Sequence, residues 1–325
     1  MIYKQVSKIK EPISAIGIGC WNFGGDWDSS DEKQSIDIVH AAIDAGVNLF
    51  DVAPVYGFGV SETVLGKALR GKRDKVLIAS KAGIVWNDKR ETRFDLTKAN
   101  ILREIDESLR RLDTDYIDIY QMHWPDPSTP LSETAEALNE IRKAGKIRYV
   151  GLSNFCQSDV EKMMEMTGVE SQQGLYNMLE RNPENYHGIS LAYRSEDEVL
   201  PAVAKWGQAY LAYSPLFQGL LAGKFLDGID FSKRDIRNSN PKFASGNFER
   251  YVEAARKIHQ VAVELDRPMQ QLSLNWLRQK PAVTCIIAGV SSPEQLDTNV
   301  GACDWDIDNE AMGRLDEIVA PFLKD

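Results

Sequence analysis

Four side chains of complementary acid-base character stand at or just beyond the ends of three consecutive apolar runs: Asp51, Tyr56, Lys81 and His123. The runs are Asn48-Leu-Phe-Asp51, which leads into Tyr56, then Val76-Leu-Ile-Ala-Ser-Lys81, and Tyr116-Ile-Asp-Ile-Tyr-Gln-Met-His123. A carboxylate, a phenol, an amine and an imidazole delivered to one rim make a proton-transfer site. The amine lowers the phenol's pKa, the carboxylate keeps the amine charged, and the imidazole fixes a carbonyl oxygen. Taken singly, each residue has a plainer role. Asp51 suits a turn before Pro54, Tyr56 beside Gly57 a surface loop, Lys81 a sheet edge, and His123 a satisfied core position. Their common place at successive strand ends is what favours chemistry.

Strands that end together must be held in register, and the surrounding pattern supplies them. Short apolar runs alternate with amphipathic segments from near residue 14 to near residue 300. The strand candidates are 14–19, 48–51, 76–81, 116–122, 148–153, 172–175, 208–213 and 283–288. Between them, helical periodicity predicts helices over 31–45, 61–69, 97–112, 132–143, 158–166, 196–205 and from Pro293 onward, with Ser61, Thr97 and Ser132 as N-caps. Strands apolar on both faces that alternate with such helices argue for a parallel sheet. Eight units in one chain favour a closed (β/α)8 barrel, with residues before 14 as a hairpin over its floor. Two long connections interrupt the rhythm: 181–195, and 214–247 after the seventh strand. No linker or repeat divides the chain, so residues 1–325 read as one domain.

Composition narrows the partners. Hydrophobic residues make up 43% and charged residues 26%, with a net charge of −10. No basic run interleaves with aromatics, which argues against nucleic acid and against an anionic membrane surface. The polar N-terminus carries no signal-peptide pattern, and no apolar run is long enough to span a bilayer. Cys20, Cys156, Cys285 and Cys303 share no close spacing, as expected of reduced thiols in a cytoplasmic protein. His40, His187 and His259 are not placed to join His123 as metal ligands, so no metal site is expected.

The segments that carry these residues resemble the aldo-keto reductase superfamily. Phe50-Asp-Val-Ala-Pro-Val-Tyr56-Gly, Asp115-Tyr-Ile-Asp-Ile-Tyr-Gln-Met-His123-Trp-Pro-Asp126 and Gly145-Lys-Ile-Arg-Tyr-Val-Gly-Leu-Ser153-Asn154-Phe are similar to its signature blocks. So are Tyr176-Asn-Met-Leu-Glu-Arg, Ala212-Tyr213-Ser-Pro-Leu216-Phe-Gln-Gly219-Leu-Leu-Ala-Gly-Lys224, and Gly289…Ser292-Pro-Glu-Gln295…Asn299. The bacterial aldehyde- and sugar-reducing branches, and the related potassium-channel β subunits, look more similar than the vertebrate aldose reductases. The resemblance implies a (β/α)8 barrel that binds a nicotinamide cofactor without a Rossmann fold. In agreement, Gly17-Ile-Gly19 and Gly57-Phe-Gly59 begin like dinucleotide fingerprints but lack the third glycine.

What the resemblance further implies is a set of roles. Tyr56 would be the general acid/base, with Asp51, Lys81 and His123 around it. Ser153, Asn154 and Gln173 would hold the nicotinamide carboxamide, and Tyr213 would stack on its ring. Ser214, Pro215, Leu216, Gly219 and Lys224 would line the pyrophosphate, and Gly289, Ser291, Gln295 and Asn299 the adenosine end. Family habit favours NADP(H) over NAD(H), although residues 289–295 offer hydroxyls and no cation to a 2′-phosphate. Lys233, Arg234 or Arg237 could supply the charge from the long loop. Trp21, Trp86 and Trp124 follow strand ends and are candidates for a substrate pocket, with Trp27 a weaker one. Aromatic walls suit sugars and aromatic aldehydes alike. The insertion's Tyr186, His187, Tyr193 and Arg194, with Arg90 and Arg93, could add polar recognition. The expected activity is hydride transfer between the cofactor and an aldehyde, ketone or sugar. A cofactor-sensing subunit with little turnover is the alternative. Oligomeric state is not legible.

Overall fold

A computed structural model describes residues 1–25, 31–228, 231, 236–244, 246 and 248–322. The chain starts with an antiparallel hairpin, β1 (Tyr3–Val6) and β2 (Ile9–Ser14). The first barrel strands follow as β3 (Ile16–Gly19), β4 (Leu49–Asp51) and β5 (Leu77–Ala82). A small hairpin, β6 (Ile84–Trp86) and β7 (Thr92–Phe94), precedes β8 (Ile117–Met122), β9 (Ile147–Ser153) and β10 (Ser171–Leu175). A second small hairpin, β11 (Asn185–Tyr186) and β12 (Ile189–Ser190), precedes β13 (Ala209–Tyr213) and β14 (Cys285–Gly289). The eight long-range partners close a parallel ring in the order β3-β4-β5-β8-β9-β10-β13-β14. This is the (β/α)8 barrel that the alternation predicts.

Helices cover its outer face: α1 (Glu32–Asp44), α2 (Val60–Ala68), α3 (Lys98–Leu112), α4 (Leu131–Lys143), α5 (Gln157–Met166) and α6 (Leu200–Trp206). The seventh connection carries two, α7 (Phe248–Glu264) and α8 (Met269–Arg278), and α9 (Pro293–Gly301) and α10 (Asn309–Val319) follow β14. The sequence reading missed α7, α8, α10 and both small hairpins. The α3 helix shows why a stripe is legible: Ile101, Ile105 and Leu112 are buried on one side, and Thr97 accepts the Asn100 N–H as its N-cap.

The other two predicted caps are not caps. Helix α2 starts after Gly59, whose φ of 96° only glycine adopts without strain, and the Ser61 hydroxyl donates instead to the Cys20 carbonyl at 2.7 Å. Helix α4 starts one residue before Ser132, at Leu131, with Pro130 in the cap position. The segment expected as a helix from 196 begins as a π-helical turn, Ser195–Val199, before α6 takes over. After β13 the long connection contains short 3-10 turns at Phe217–Ala222, Ile236–Ser239 and Pro241–Phe243.

The N-terminal hairpin plugs the barrel floor. Ile9 and Ile13 are buried against Leu49, Leu77, Ala79, Ile119, Leu211, Cys285 and Ile287, the inward-facing rows of the strands. Each of the Leu and Ile side chains among them contributes about 1.5–3 kcal/mol on burial. Alternation then fixes the upper rows. Two residues beyond Leu49, Ala79, Ile119, Gly151, Ser171 and Leu211, the same inward parity brings Asp51, Lys81, Gln121, Ser153, Gln173 and Tyr213 toward the C-terminal mouth. No helix among the described residues is long and apolar enough to cross a membrane.

Candidate active site

The four strand-end residues come together at that mouth. Lys81 is fully buried, and its Nζ donates to both Asp51 carboxylate oxygens at 2.8 and 2.7 Å, to the Val52 carbonyl at 3.1 Å and to the Tyr56 hydroxyl at 3.3 Å. The His123 ring meets the Tyr56 ring edge-on at 5.9 Å. Tyr56 is held by the tight turn after β4, where its own N–H donates to the Ala53 carbonyl and the Gly59 N–H reaches Pro54. Gly57 completes that turn at φ 60°, against Gly24. A Cβ on Gly57 would stand 2.1 Å from the Gly24 carbonyl oxygen, so no side chain fits there.

Two glutamines complete the Asp51 environment. Gln173 donates to Asp51 Oδ1 at 2.7 Å from β10, across the barrel, and Gln121 approaches the same oxygen at 3.5 Å. Gln121 was not singled out from the sequence, although its position two residues before His123 on one strand puts it on the same face. A further buried carboxylate lies behind the site. Glu62 accepts from Ser80 at 2.7 Å and pairs with Arg111 at 2.7 Å.

The electrostatics differ from expectation in one respect. Tyr56 was expected to have its pKa lowered by Lys81. Burial, followed by the Asp51 charge, instead pushes the phenol well above its usual value. Burial also lowers the Lys81 ammonium, and Asp51 opposes that shift. His123 is driven well below the usual imidazole range, by burial first and then by Lys81, so its ring is neutral and carries one N–H. At neutral pH the phenol is therefore a protonated donor.

The candidate cofactor residues form an arc beside the tetrad. Ser153 ends β9 and Asn154 follows it. Asn154 is engaged on all sides: its amide donates to the His123 carbonyl and to Ser153 Oγ, both at 3.1 Å, and its oxygen accepts the Tyr193 and Tyr213 hydroxyls at 3.1 and 2.9 Å. The Tyr213 ring meets Tyr186 at 5.2 Å. Beyond it the backbone turns left-handed at Ser214, Phe217, Gln218 and Gly219, with Pro215 buried and Leu216 half-buried between them. A Cβ on Gly219 would meet Phe225, Lys224 and Arg237, so both cations stand beside this glycine. Arg237 stacks on Phe225 and Phe231 at 4.9 and 4.5 Å and donates to the Gln218 carbonyl at 3.1 Å. It lies with Lys224 rather than with segment 289–295; Lys233, Arg234 and Trp27 fall outside the described residues.

At the far end, Ser292 caps α9, and Gln295 accepts from the Ser291 backbone N–H and hydroxyl, both at 2.9 Å. Asn299 is fully buried, and its Nδ2 has no hydrogen-bond partner, like Asn22 Oδ1. Gly289 faces open space where a Cβ would point. Orphaned buried polar atoms, the positive end of α9 and the Lys224 cation fit an anionic, hydrogen-bonding ligand such as a dinucleotide. Among the described residues no group of His, Cys, Asp and Glu is arranged to hold a metal ion.

The three tryptophans take different places. Trp21 stacks on Tyr56 at 6.0 Å, Trp86 meets Phe58 at 5.6 Å from the β6–β7 hairpin, and buried Trp124 stacks on Phe94 at 6.1 Å. Arg90 covers Phe58 at 4.8 Å, and Arg93 pairs with Asp95 at 2.8 Å. Tyr193 donates inward to Asn154, whereas Arg194 pairs outward with Glu184 at 3.2 Å.

Comparison with known proteins agrees with the barrel fold. The model of the Aldo/keto reductase family matches residues 15–320. "Aldo-keto reductase YhdN" of Bacillus subtilis is 35% identical over 329 residues, covering 100% of this chain and 96% of that protein. The "NADH-specific methylglyoxal reductase" of Escherichia coli is 32% identical over 306 residues, covering 89% and 90%. The structure of the glycerol dehydrogenase AKR11B4 from Gluconobacter oxydans superposes with a TM-score of 0.87 at 32% identity, covering 99% of this chain and 96% of that one.

Proposed function

The chain belongs to the aldo-keto reductase family and is an NAD(P)H-dependent reductase, and from that premise we propose that Tyr56 is the general acid that protonates an aldehyde, ketone or sugar carbonyl as it is reduced. The observation that carries this is the Tyr56 hydroxyl, 3.3 Å from a buried ammonium that is itself clamped by Asp51. A reduced nicotinamide held by the residues named below would supply a hydride for the carbonyl carbon. Tyr56 supplies the proton to the oxygen, so carbonyl, reduced cofactor and one proton give alcohol and oxidised cofactor. A protonated phenol is the form this direction needs. As the proton leaves, the Lys81 ammonium stands beside the nascent phenolate and stabilises it. Asp51 keeps that ammonium in place, and Gln173 and Gln121 steady Asp51. Neutral His123 donates its one N–H to the carbonyl oxygen and orients it.

Ser153, Asn154 and Gln173 would hold the carboxamide, and Tyr213 would face the ring once Tyr186 yields its contact. Ser214, Leu216, Gly219 and Lys224, with Arg237 beside them, would hold the pyrophosphate. For the adenosine end we propose Gly289, Ser291, Gln295 and Asn299, and NADP(H) as the cofactor, supported by the Ser291 and Ser292 hydroxyls at the positive end of α9. A specific observation favours NAD(H) instead: residues 289–299 contain Glu294 and Asp297 but no Arg or Lys, and one relative is named as NADH-specific. Titrating the tryptophan fluorescence with NADPH and with NADH decides between them, since tighter NADH binding overturns the first. Following nicotinamide absorbance over a panel of aldehydes, ketones and sugars tests the activity. Tight cofactor binding with no turnover of any of them would support a sensing subunit.

A further inference from the structure

The β11–β12 hairpin is joined by a two-residue loop, His187-Gly188, since Asn185 pairs with Ser190 and Tyr186 with Ile189. Both loop residues are left-handed, at φ 51° and 80°. A turn of this kind favours Asn-Gly, Asp-Gly or Gly-Gly, because a side chain at its first position meets the backbone in the left-handed region. Histidine enters this region more readily than most side chains, but it is not a residue the turn prefers, so its presence asks for a reason. The surroundings of the imidazole are the second observation. The Trp21 ring, itself stacked on Tyr56, meets the His187 ring edge-on at 6.4 Å, and Tyr186 meets it at 4.4 Å. Trp21 thus links the His187 imidazole to the Tyr56 ring through direct ring contacts.

Its hydrogen bonding fixes the tautomer. Asn240 Nδ2 donates to Gln218 Oε1 at 3.2 Å, so the Gln218 amide nitrogen is the atom that faces His187 Nε2 at 2.8 Å. Nε2 therefore accepts, and the ring proton resides on Nδ1. Among the described residues nothing accepts that proton. Burial, then the nearby Lys242 charge, lowers the imidazole to about 4, so the ring is neutral at physiological pH and presents a hydrogen bond rather than a charge.

We propose that His187, oriented by Gln218 and braced by Trp21 and Tyr186, is a specificity-determining residue that reads a neutral hydroxyl near the substrate carbonyl. This rests on Tyr56 marking the reaction centre. A site that donates a hydrogen bond to a substrate hydroxyl discriminates against the analogue lacking it. The Nδ1–H of His187 selects hydroxylated aldehydes and ketones over unsubstituted ones of equal length.

The test is His187→Gly, which removes the imidazole and places the residue the turn prefers, so the hairpin is retained. Initial rates are measured with glyceraldehyde and with propanal, and the ratio of their kcat/KM values is compared with wild type. The ratio is expected to fall at least about fivefold, with Tm not lowered. A smaller change, including equal losses on both aldehydes, overturns the proposal and leaves the functional reading standing. A wild-type chain that reduces neither aldehyde with either cofactor refutes that reading, and the role of His187 with it.

Discussion

Replacing Asp51 with asparagine isolates the energetics of the pair at the centre of the site. The Lys81 side chain is 0% exposed and Asp51 5%, and their atoms meet at 2.7 Å. Removing the carboxylate's charge leaves an uncompensated ammonium in the barrel, which costs about 3–5 kcal/mol. For 325 residues the unfolding entropy is about 0.7 kcal/mol/K, so Tm should drop by about 4–7 °C. Lys81→Met should cost less, about 1–3 kcal/mol, because Asp51 keeps the Gln173 and Gln121 donors. Combining the two substitutions leaves a neutral, volume-matched pair and should cost about 2–3 kcal/mol less than the two single losses added together, that difference being the coupling energy. Thermal and urea unfolding of the four proteins give the cycle. Simple additivity, with a coupling below about 0.5 kcal/mol, would show that the two groups do not depend on one another and would refute the reasoning. All three variants should lose turnover.

Other outcomes follow from particular contacts. Glu104 is buried, accepts the Gly83 N–H at 2.7 Å and the Asn100 amide at 2.8 Å, and is raised by burial to about 7 from 4.5. The folded chain therefore holds more protons than the unfolded one between those values, and stability should fall by about 3 kcal/mol as pH rises through that window. Glu104→Gln keeps the accepting oxygen and should flatten the dependence, as pH-resolved urea unfolding will show. Gly57→Ala should cost about 1–3 kcal/mol from its left-handed φ alone, more from the Gly24 clash, and should lower kcat by moving Tyr56. Lys224→Ala should raise the cofactor Kd about tenfold with kcat preserved, measured by fluorescence titration and steady-state rates.

The barrel was legible because its strands and helices alternate at different periods, and because inward parity carries Asp51, Lys81 and His123 to one end. Helix bounds were legible where a side chain made the cap, as Thr97 does. They were not where backbone geometry made it, as at Gly59 and Pro130. Helices α7 and α8 went unread because no strand separates them, so the alternation gave no cue. Placing Gln173 on Asp51 requires contact across the barrel between residues 122 positions apart, which no local pattern encodes. The raised Tyr56 pKa was equally hidden, since sequence names the neighbouring charges but not the depth of burial that outweighs them. The hairpin at 185–190 is too short for periodicity, and its approach to Trp21 and Tyr213 is a tertiary fact.

The most direct measurement is kcat of Tyr56→Phe on an aldehyde that the wild type reduces well, with the cofactor Kd measured in parallel. Loss of the proton donor alone should lower kcat by about 10²–10⁴-fold while the cofactor binds as before. A phenylalanine variant that turns over at the wild-type rate would contradict the assignment of Tyr56 as the acid.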